Sequence, residues 1–588
     1  MQKKLFVLSI LLILHIIAST MVFAATSDDQ LLFSSEVSEV AQKSPAMEIE
    51  KPTTQPMVRE ASLGNLPKGY QIIPSSIKMS PDVRNVAYAA YSDNTHNIIQ
   101  INDRTSPIYY AVQPGMPIFS PQMNRHAYIA YLNIEKSVIV VDGKTIDTVN
   151  VADNFIFSPD GSRYACRVEK NKKQYVIVDG KPGAPYKGIP IKNNFLFSPD
   201  SKRFIYVALK GDSCVAVVDG KEEPLMFNFI QNVRFSPDSA QYTYKARTEK
   251  KANGKEKWCV VKNGRAGNIY NQIFDLVFSF DSKHLAYSAV KDRKVVLVFD
   301  DSEKDSYDMV GIPVFSFDSK TFTYAYTKNN KWHIVVNDER SAPFDELYRF
   351  YFSPDSKRNA FIAKNGDDWF CIVDDKKGDG FEKMVESFKF SLNSKRFLYA
   401  GVDQDGSRII IDEQSGPIYR SVGEPYFSPD SRHVVYRAIR PDEDRWITVL
   451  DETESKKNYI GIGKYEFSDD SKHLAFPAFV SISQTVMVVD GTEQCADRKF
   501  KILGDPTFSP DGNYIIYHAR AAEEKWHLII NGNVLPETYG GFFRGTPIIF
   551  DSPAHCHTMG IKPGGTEFIV IDVDIPETFK LTSEIKLL

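Results

Sequence analysis

The chain of 588 residues is poor in the features that announce chemistry. It carries no Gly-x-Ser-x-Gly elbow, no phosphate-binding loop ending in Gly-Lys-Ser/Thr and no His-Glu-x-x-His pair. The common signatures of acyl hydrolases, nucleotide hydrolases and zinc peptidases are therefore missing. Six cysteines are too sparse for a fold that depends on disulfides. A formal charge of −4 gives no electrostatic footprint for nucleic acid. Beyond the first two dozen residues no apolar run approaches membrane-spanning length.

The one long apolar run stands at the N-terminus. Lys3 and Lys4 precede Leu5 to about Ile17, and the small residues Val22 and Ala24 follow. This order predicts a signal peptide over 1–24, cleaved after Ala24, and hence a periplasmic or secreted protein. An uncleaved membrane anchor is the alternative. Residues 25–64 mix acids with Ser, Thr and Pro, a composition that buries little core and reads as a disordered tether.

What the sequence has in abundance is repetition. A Phe-Ser-Pro-Asp-Ser/Gly signature recurs with its serine at Ser80, Ser120, Ser158, Ser198, Ser236, Ser279, Ser316, Ser353, Ser391, Ser428, Ser468 and Ser509, spaced 37 to 43 residues apart. A degenerate thirteenth copy begins near Phe550-Asp551-Ser552-Pro553. About twenty residues after each serine an apolar strand ends in Asp-Gly, Asn-Gly or a substitute, as at Asp179-Gly180, Asp219-Gly220 and Asn531-Gly532. A period near 40 with several short strands per unit predicts an all-β architecture of about thirteen four-stranded propeller blades. Rings usually hold four to eight blades. The expected arrangement is therefore tandem β-propellers, a first over 65–310 and a second over 311–588, six plus seven blades.

Residues 154–189 illustrate the unit. Strands are expected at Asn154–Ser158, Arg163–Glu169 and Tyr175–Val178, with a weaker fourth near Tyr186. Pro159-Asp160-Gly161 and Asp179-Gly180 supply the turns. Third strands such as Val215-Ala216-Val217-Val218 are apolar on both faces, which fits a blade packed between two neighbours. Trp258, Trp332, Trp369, Trp446 and Trp526 each lie five residues before the hairpin Asp or Asn. They are expected at packing positions between blades.

Phe157-Ser158-Pro159-Asp160-Gly161 and Phe197-Ser198-Pro199-Asp200-Ser201-Lys202 resemble the WD-like PD40 β-propeller repeat of the TolB type. Similar repeats occur in the propellers of prolyl-oligopeptidase-like enzymes. The resemblance covers nearly everything after residue 70. It implies a propeller in an envelope setting and transfers no partner. TolB carries a folded domain before its propeller, where this chain has the polar tether. No stretch is long enough for the hydrolase domain of the peptidases.

Repetition also absorbs most candidate site residues. A serine repeated twelve times at one turn is architecture. His284, His433 and His473 each sit five residues after the repeat serine, His126 sits one later, and His333 and His527 follow the tryptophan position. One cluster is distinctive: His555-Cys556-His557, whose imidazoles would share a strand face and could start a metal site. Zinc needs three or four protein ligands, and the completing ones would have to come from elsewhere in the fold. Which metal, if any, is left open. The acidic loops Asp403-Gln404-Asp405-Gly406 and Asp442-Glu443-Asp444 lack the full calcium-loop pattern. Cys166, Cys214, Cys259 and Cys371 are expected on strands, the last three as buried thiols, while Cys495 and Cys556 could pair.

No catalytic residue and no cofactor-binding residue is assigned, and no cofactor is expected. The leading expectation is a non-catalytic scaffold for protein–protein interactions in the cell envelope, acting through longer loops such as 246–256 and 437–445. The alternative is a propeller that binds polysaccharide or peptide, or acts on it as a hydrolase or lyase with acids drawn from several blades. The expected partner is an envelope or extracellular protein, or a glycan, and not a nucleic acid.

Overall fold

The computed structural model describes residues 55–582, apart from 193, 250–255 and 544. The expected signal peptide, most of the expected tether and the tip of loop 246–256 lie outside the described residues. The described chain is all-β. It forms twelve antiparallel sheets: seven of four strands, four of five and one of ten. Two short 3-10 turns, Pro74–Ser76 and Glu577–Phe579, are the only helical segments among the described residues. No helix there is long and apolar enough to cross a membrane.

Each regular sheet uses four consecutive strands in chain order, so local hairpins build it. In the unit read above, the strands are Val151–Phe157, Tyr164–Lys170, Lys173–Val178 and Lys181–Pro182. The fourth continues only as the single bridge between Gln174 and Tyr186. Asp179 and Gly180 take φ of +50° and +78°, the left-handed pair that a two-residue hairpin turn requires. In the five-stranded sheets the first strand is split in two, as in Gln71–Ile72 and Lys78–Met79, both paired to Val86–Asp93.

The core sits between sheets. Val215 to Val218 are all buried. Val215 and Val217 join an apolar cluster with the preceding sheet, and Ala216 and Val218 join one with the following sheet. This alternation is the physical content of the double-sided apolar strand. Four of the five tryptophans, Trp258, Trp332, Trp446 and Trp526, pack half-buried against these inter-sheet clusters. Trp369 instead meets Tyr348 edge-on and lies under the Lys364 ammonium.

One expectation needs correction at the N-terminus. Met57–Asn65, counted almost wholly within the tether, is a strand. It pairs antiparallel with Glu567–Asp574, completing a sheet whose other strands are Ile549–Ser552 and His555–Ile561. Period-two alternation there is weak, because the strand lies at a sheet edge and only Leu63 is buried. The polar composition concealed it. This closing sheet packs on the first repeat: Met559, Phe568 and Val570 share a cluster with Val86, Tyr88 and Ala90.

Around residue 310 the sheets are packed as elsewhere. Leu297 and Tyr307 on one side share a cluster with Tyr324, Tyr326 and Val335 on the other.

Candidate functional site

The repeat signature resolves into a hydrogen-bonded device. In each Ser-Pro-Asp turn the buried serine Oγ donates to the Asp carboxylate two residues on, at 2.6 Å for Ser158–Asp160 and Ser198–Asp200. The same Oγ accepts the backbone N–H five residues on. The residue three after the serine is held at positive φ, +65° for Ser201. When it is serine, its Oγ accepts the backbone N–H of the Asp, or in one case of Asn393, in the preceding repeat. Eight such bonds run without interruption, from Asp160–Ser201 through Asp200–Ser239, Asp281–Ser319 and Asp318–Ser356 to Asp430–Ser471. The twelve serines are thus consumed by structure.

The basic residue of the signature has an equally fixed task. Arg203 Nε bonds the hairpin carboxylate of Asp219 at 3.0 Å, and its Nη1 donates to the carbonyl of Ala240 in the next repeat at 3.0 Å. Its guanidinium also lies over the Phe235 and Tyr242 rings of that repeat. His284, His433 and His473 stand in the same place and pair with Asp300, Asp451 and Asp490 at 2.6, 2.6 and 2.8 Å. The neighbouring His126 offers its backbone N–H to Asp142. His333 stacks on Tyr326, and His527 is half-buried beside Phe500. These histidines do not converge on one another.

The acidic loops are also spoken for. Asp403 pairs with Arg408, and Glu443 pairs with Arg440 at 2.9 Å. All six cysteines are free, so the suggested Cys495–Cys556 pair is not formed. Cys495 donates its thiol to the Gly532 carbonyl, and Cys556 is buried on a strand, where burial pushes its thiol up to about 12. Cys556 lies on the strand expected to carry His555 and His557.

The closing sheet is where polar groups gather without following the repeat. Its first turn is shortened to a two-residue hairpin, Pro553-Ala554, between the paired residues Ser552 and His555. The Ser-Pro-Asp loop, which spans six residues between Phe197 and Phe204, therefore has no room. His555 and His557 alternate on the next strand with Cys556 between them, so both face the same side. Register places His555 opposite Asp574 and His557 opposite Asp572. Arg59 of the first strand is opposite Asp572 and pairs with Asp574 at 2.7 Å.

Contacts across this face are dense. His557 Nδ1 is 2.7 Å from Asp551 Oδ2, and its Nε2 is 2.7 Å from the Asp82 carbonyl of the first repeat. His555 Nδ1 is 2.7 Å from Asp574, while its Nε2 lies 3.4 Å from Asp551 and 3.6 Å from Asp572. Arg84, also from the first repeat, reaches in with Nη2 3.1 Å from Asp551 and Nη1 3.1 Å from Asp572. One donor atom each from Asp551, His557 and Asp572 lies within 4.8 Å of the others.

The sequence pointed to His555 and His557 and missed Asp551, Asp572, Arg84 and Arg59. Two signals were legible. Asp551 stands only four residues before His555, and Asp572-Val573-Asp574 has the period-two spacing of one strand face. Arg84 was not legible, because it lies 467 residues from Asp551 and only the packing of the closing sheet on the first repeat brings them together.

No family profile and no curated protein matches the chain. Solved structures similar to it include a eukaryotic initiation factor, 14% identical over 55% of this chain and 92% of that one, with a TM-score of 0.29. TolB from Acinetobacter baumannii is 16% identical over 45% of this chain and 76% of that one, with a TM-score of 0.19. The Dos1 propeller is 13% identical over 48% and 88%, with a TM-score of 0.22.

Proposed function

We propose that this chain is an exported, non-catalytic β-propeller scaffold that binds another protein at the cell envelope. The observation that carries the reading is an apolar pair on the turn face. In two consecutive repeats phenylalanine replaces the proline of the signature, at Phe280 and Phe317. Their rings lie 5.4 Å apart and are 53% and 46% exposed. A proline there would shape the turn at no cost. Two exposed aromatics side by side offer the amphipathic contact area of an interface anchor. Leu392, at the same position two repeats on, is also exposed. The repeated Ser, Asp, Arg and His side chains meanwhile bond one another, which leaves chemistry-bearing groups engaged in architecture.

The test is a cross-linking capture from the native envelope with the full chain as bait, beside the double variant Phe280→Ser/Phe317→Ser. A partner captured by the native chain and lost in the variant supports the reading. Equal capture by both, or by neither, sinks it.

A second reading rests on a groove of about 400 Å³ on the outer strands, lined by Glu303, Lys304, Asp305, Tyr307, Asp338 and Arg340. Its carboxylates and tyrosines suit a glycan or peptide. A glycan array and a substrate screen, with Arg340→Ala as control, decide it.

For the architecture, we read the ten-stranded sheet as two repeat units joined through the single pair Thr485–Phe500. That brings the count to thirteen blades. A ring closing at residue 310 needs the sheet of Tyr88 to pack on the sheet of Tyr287. The clusters instead join Tyr88 to Phe568 and Leu297 to Tyr326, and this supports one circuit of units over two rings of six and seven. Electron-microscopy class averages separate one large ring from two small ones.

A further inference from the structure

The face between the closing sheet and the first repeat gathers imidazoles and carboxylates around the Arg84 guanidinium. His557 Nε2 lies 2.7 Å from a backbone carbonyl, which only accepts, so this nitrogen carries the proton. Its Nδ1 faces the Asp551 carboxylate at 2.7 Å and the Arg84 guanidinium at 3.2 Å, the position where a metal ion would take the place of the hydrogen between nitrogen and carboxylate. His555 Nδ1 lies 2.7 Å from the Asp574 carboxylate and likewise carries the proton. Its Nε2 stands 3.4 Å from Asp551 and 3.6 Å from Asp572. Ligand atoms of Asp551, His557 and Asp572 lie within 4.8 Å of one another, and His555 Nε2 stands beside the two carboxylates, with each imidazole held from behind by an acceptor. A carbonyl or carboxylate behind the distal nitrogen is the usual support of a metal-ligating histidine.

We propose that Asp551, His555, His557 and Asp572 bind one divalent transition-metal ion of the zinc class, with the Arg84 guanidinium as the group it displaces. Ligands of a tetrahedral ion at about 2.1 Å stand about 3.4 Å apart. His555 Nε2 already keeps that spacing, at 3.4 and 3.6 Å from the two carboxylates. Two imidazoles with two carboxylates favour a borderline ion such as Zn²⁺ over the all-oxygen cations Mg²⁺ and Ca²⁺. Arg84 fills the position by bonding Asp551, Asp572 and His557, and at 40% exposure its side chain has a path to water. The three carboxylates Asp551, Asp572 and Asp574 face two guanidiniums, Arg59 and Arg84. That leaves one negative charge in excess, which a dication in place of Arg84 cancels.

The bound ion would tie the closing sheet at its own four ligands, with Asp574 and the Asp82 carbonyl as outer supports. Site and partner surface are separate, so the two readings stand or fall independently.

The test is calorimetric titration of chelator-treated full-length protein with Zn²⁺, with Mg²⁺ in parallel and Co²⁺ absorption as a report of geometry. Expected are one equivalent of Zn²⁺, no response to Mg²⁺ and tetrahedral Co²⁺ bands. His555→Ala and Asp572→Asn should abolish binding, and Asp574→Asn should weaken it about 10- to 100-fold. Arg84→Ala should bind more tightly than the native chain, a gain that a merely structural cluster would not produce. Circular dichroism verifies that each variant is folded. Absence of Zn²⁺ binding in both the native chain and Arg84→Ala overturns the proposal, as does binding that persists in His555→Ala and Asp572→Asn.

Discussion

The regular junctions and the closing seam solve the same problem with different chemistry. Between regular repeats, a neutral serine hydroxyl meets a backbone N–H, and an arginine or histidine spans from its own hairpin carboxylate toward the next turn. Each polar group keeps its partners at fixed spacings, and the pattern is copied from unit to unit. At the seam the receiving turn offers Val83 instead of serine, and the donating turn has shrunk to two residues. Seven charged or titratable side chains crowd into the gap. Repetition yields a junction that is modular. Closure, which joins the two ends of the series, is idiosyncratic.

Acid should separate the two regions most strongly. The carboxyls of Asp160, Asp200, Asp238, Asp281, Asp318 and Asp355 are held below their ordinary value, first by the serine hydroxyl and then by the backbone N–H two residues on. A lowered folded value means the stabilisation is fully present above about pH 4, the ordinary carboxyl value, and is lost as pH falls through the folded values. These six turns lose it together. Thermal melts should therefore be flat from pH 7 to about 5 and drop steeply below about 4. A flat melting temperature down to pH 2.5 breaks the account.

Deleting residues 57–65 removes the strand that completes the closing sheet. The expected cost is on the order of 5 kcal/mol, at about 1 kcal/mol for each ladder hydrogen bond. Hydrogen exchange should then accelerate in 567–574 before it does in 204–218. Uniform acceleration would mean that seam and repeats unfold as one.

At a single regular junction, Arg203→Ala loses the Asp219 pair, the bond to the Ala240 carbonyl and two ring contacts. A loss of about 2–3 kcal/mol in denaturant melts is expected. Ser239→Ala removes one neutral acceptor and should cost about 1 kcal/mol. The smallest effect belongs to Gly512→Ser. Gly512 has φ +73° and stands where eight other repeats place serine, with Asp470 beside it. The new hydroxyl would extend the ladder by one rung and offset the strained φ, leaving stability within about 0.5 kcal/mol of the native chain.

The fold was legible because repetition amplifies weak signals. Asp179-Gly180 alone is a turn, but that dipeptide or a close substitute about twenty residues after each repeat serine fixes a register. The structural role of His284, His433 and His473 was legible for the same reason. Met57–Asn65 was not, since its partner lies at the far end of the chain and no local pattern marks an edge strand that buries one residue. The seam was half legible: His555 and His557 stand out by residue type, whereas Asp572 needs strand register and Arg84 needs the packing of the closing sheet on the first repeat. Local chemistry is written in the sequence once per residue. Contacts across the whole series are written nowhere in particular.

The pairing of Met57 with Asp574 across 517 residues also sets a schedule for biogenesis. At about 5–20 residues per second, the first strand leaves the ribosome about 25–100 s before its partner exists. Throughout that interval it is an unpaired edge at the leading end of the polypeptide, while successive repeats stack behind it. The unit that receives this segment is made 517 residues later, so an early part of the chain completes a late one.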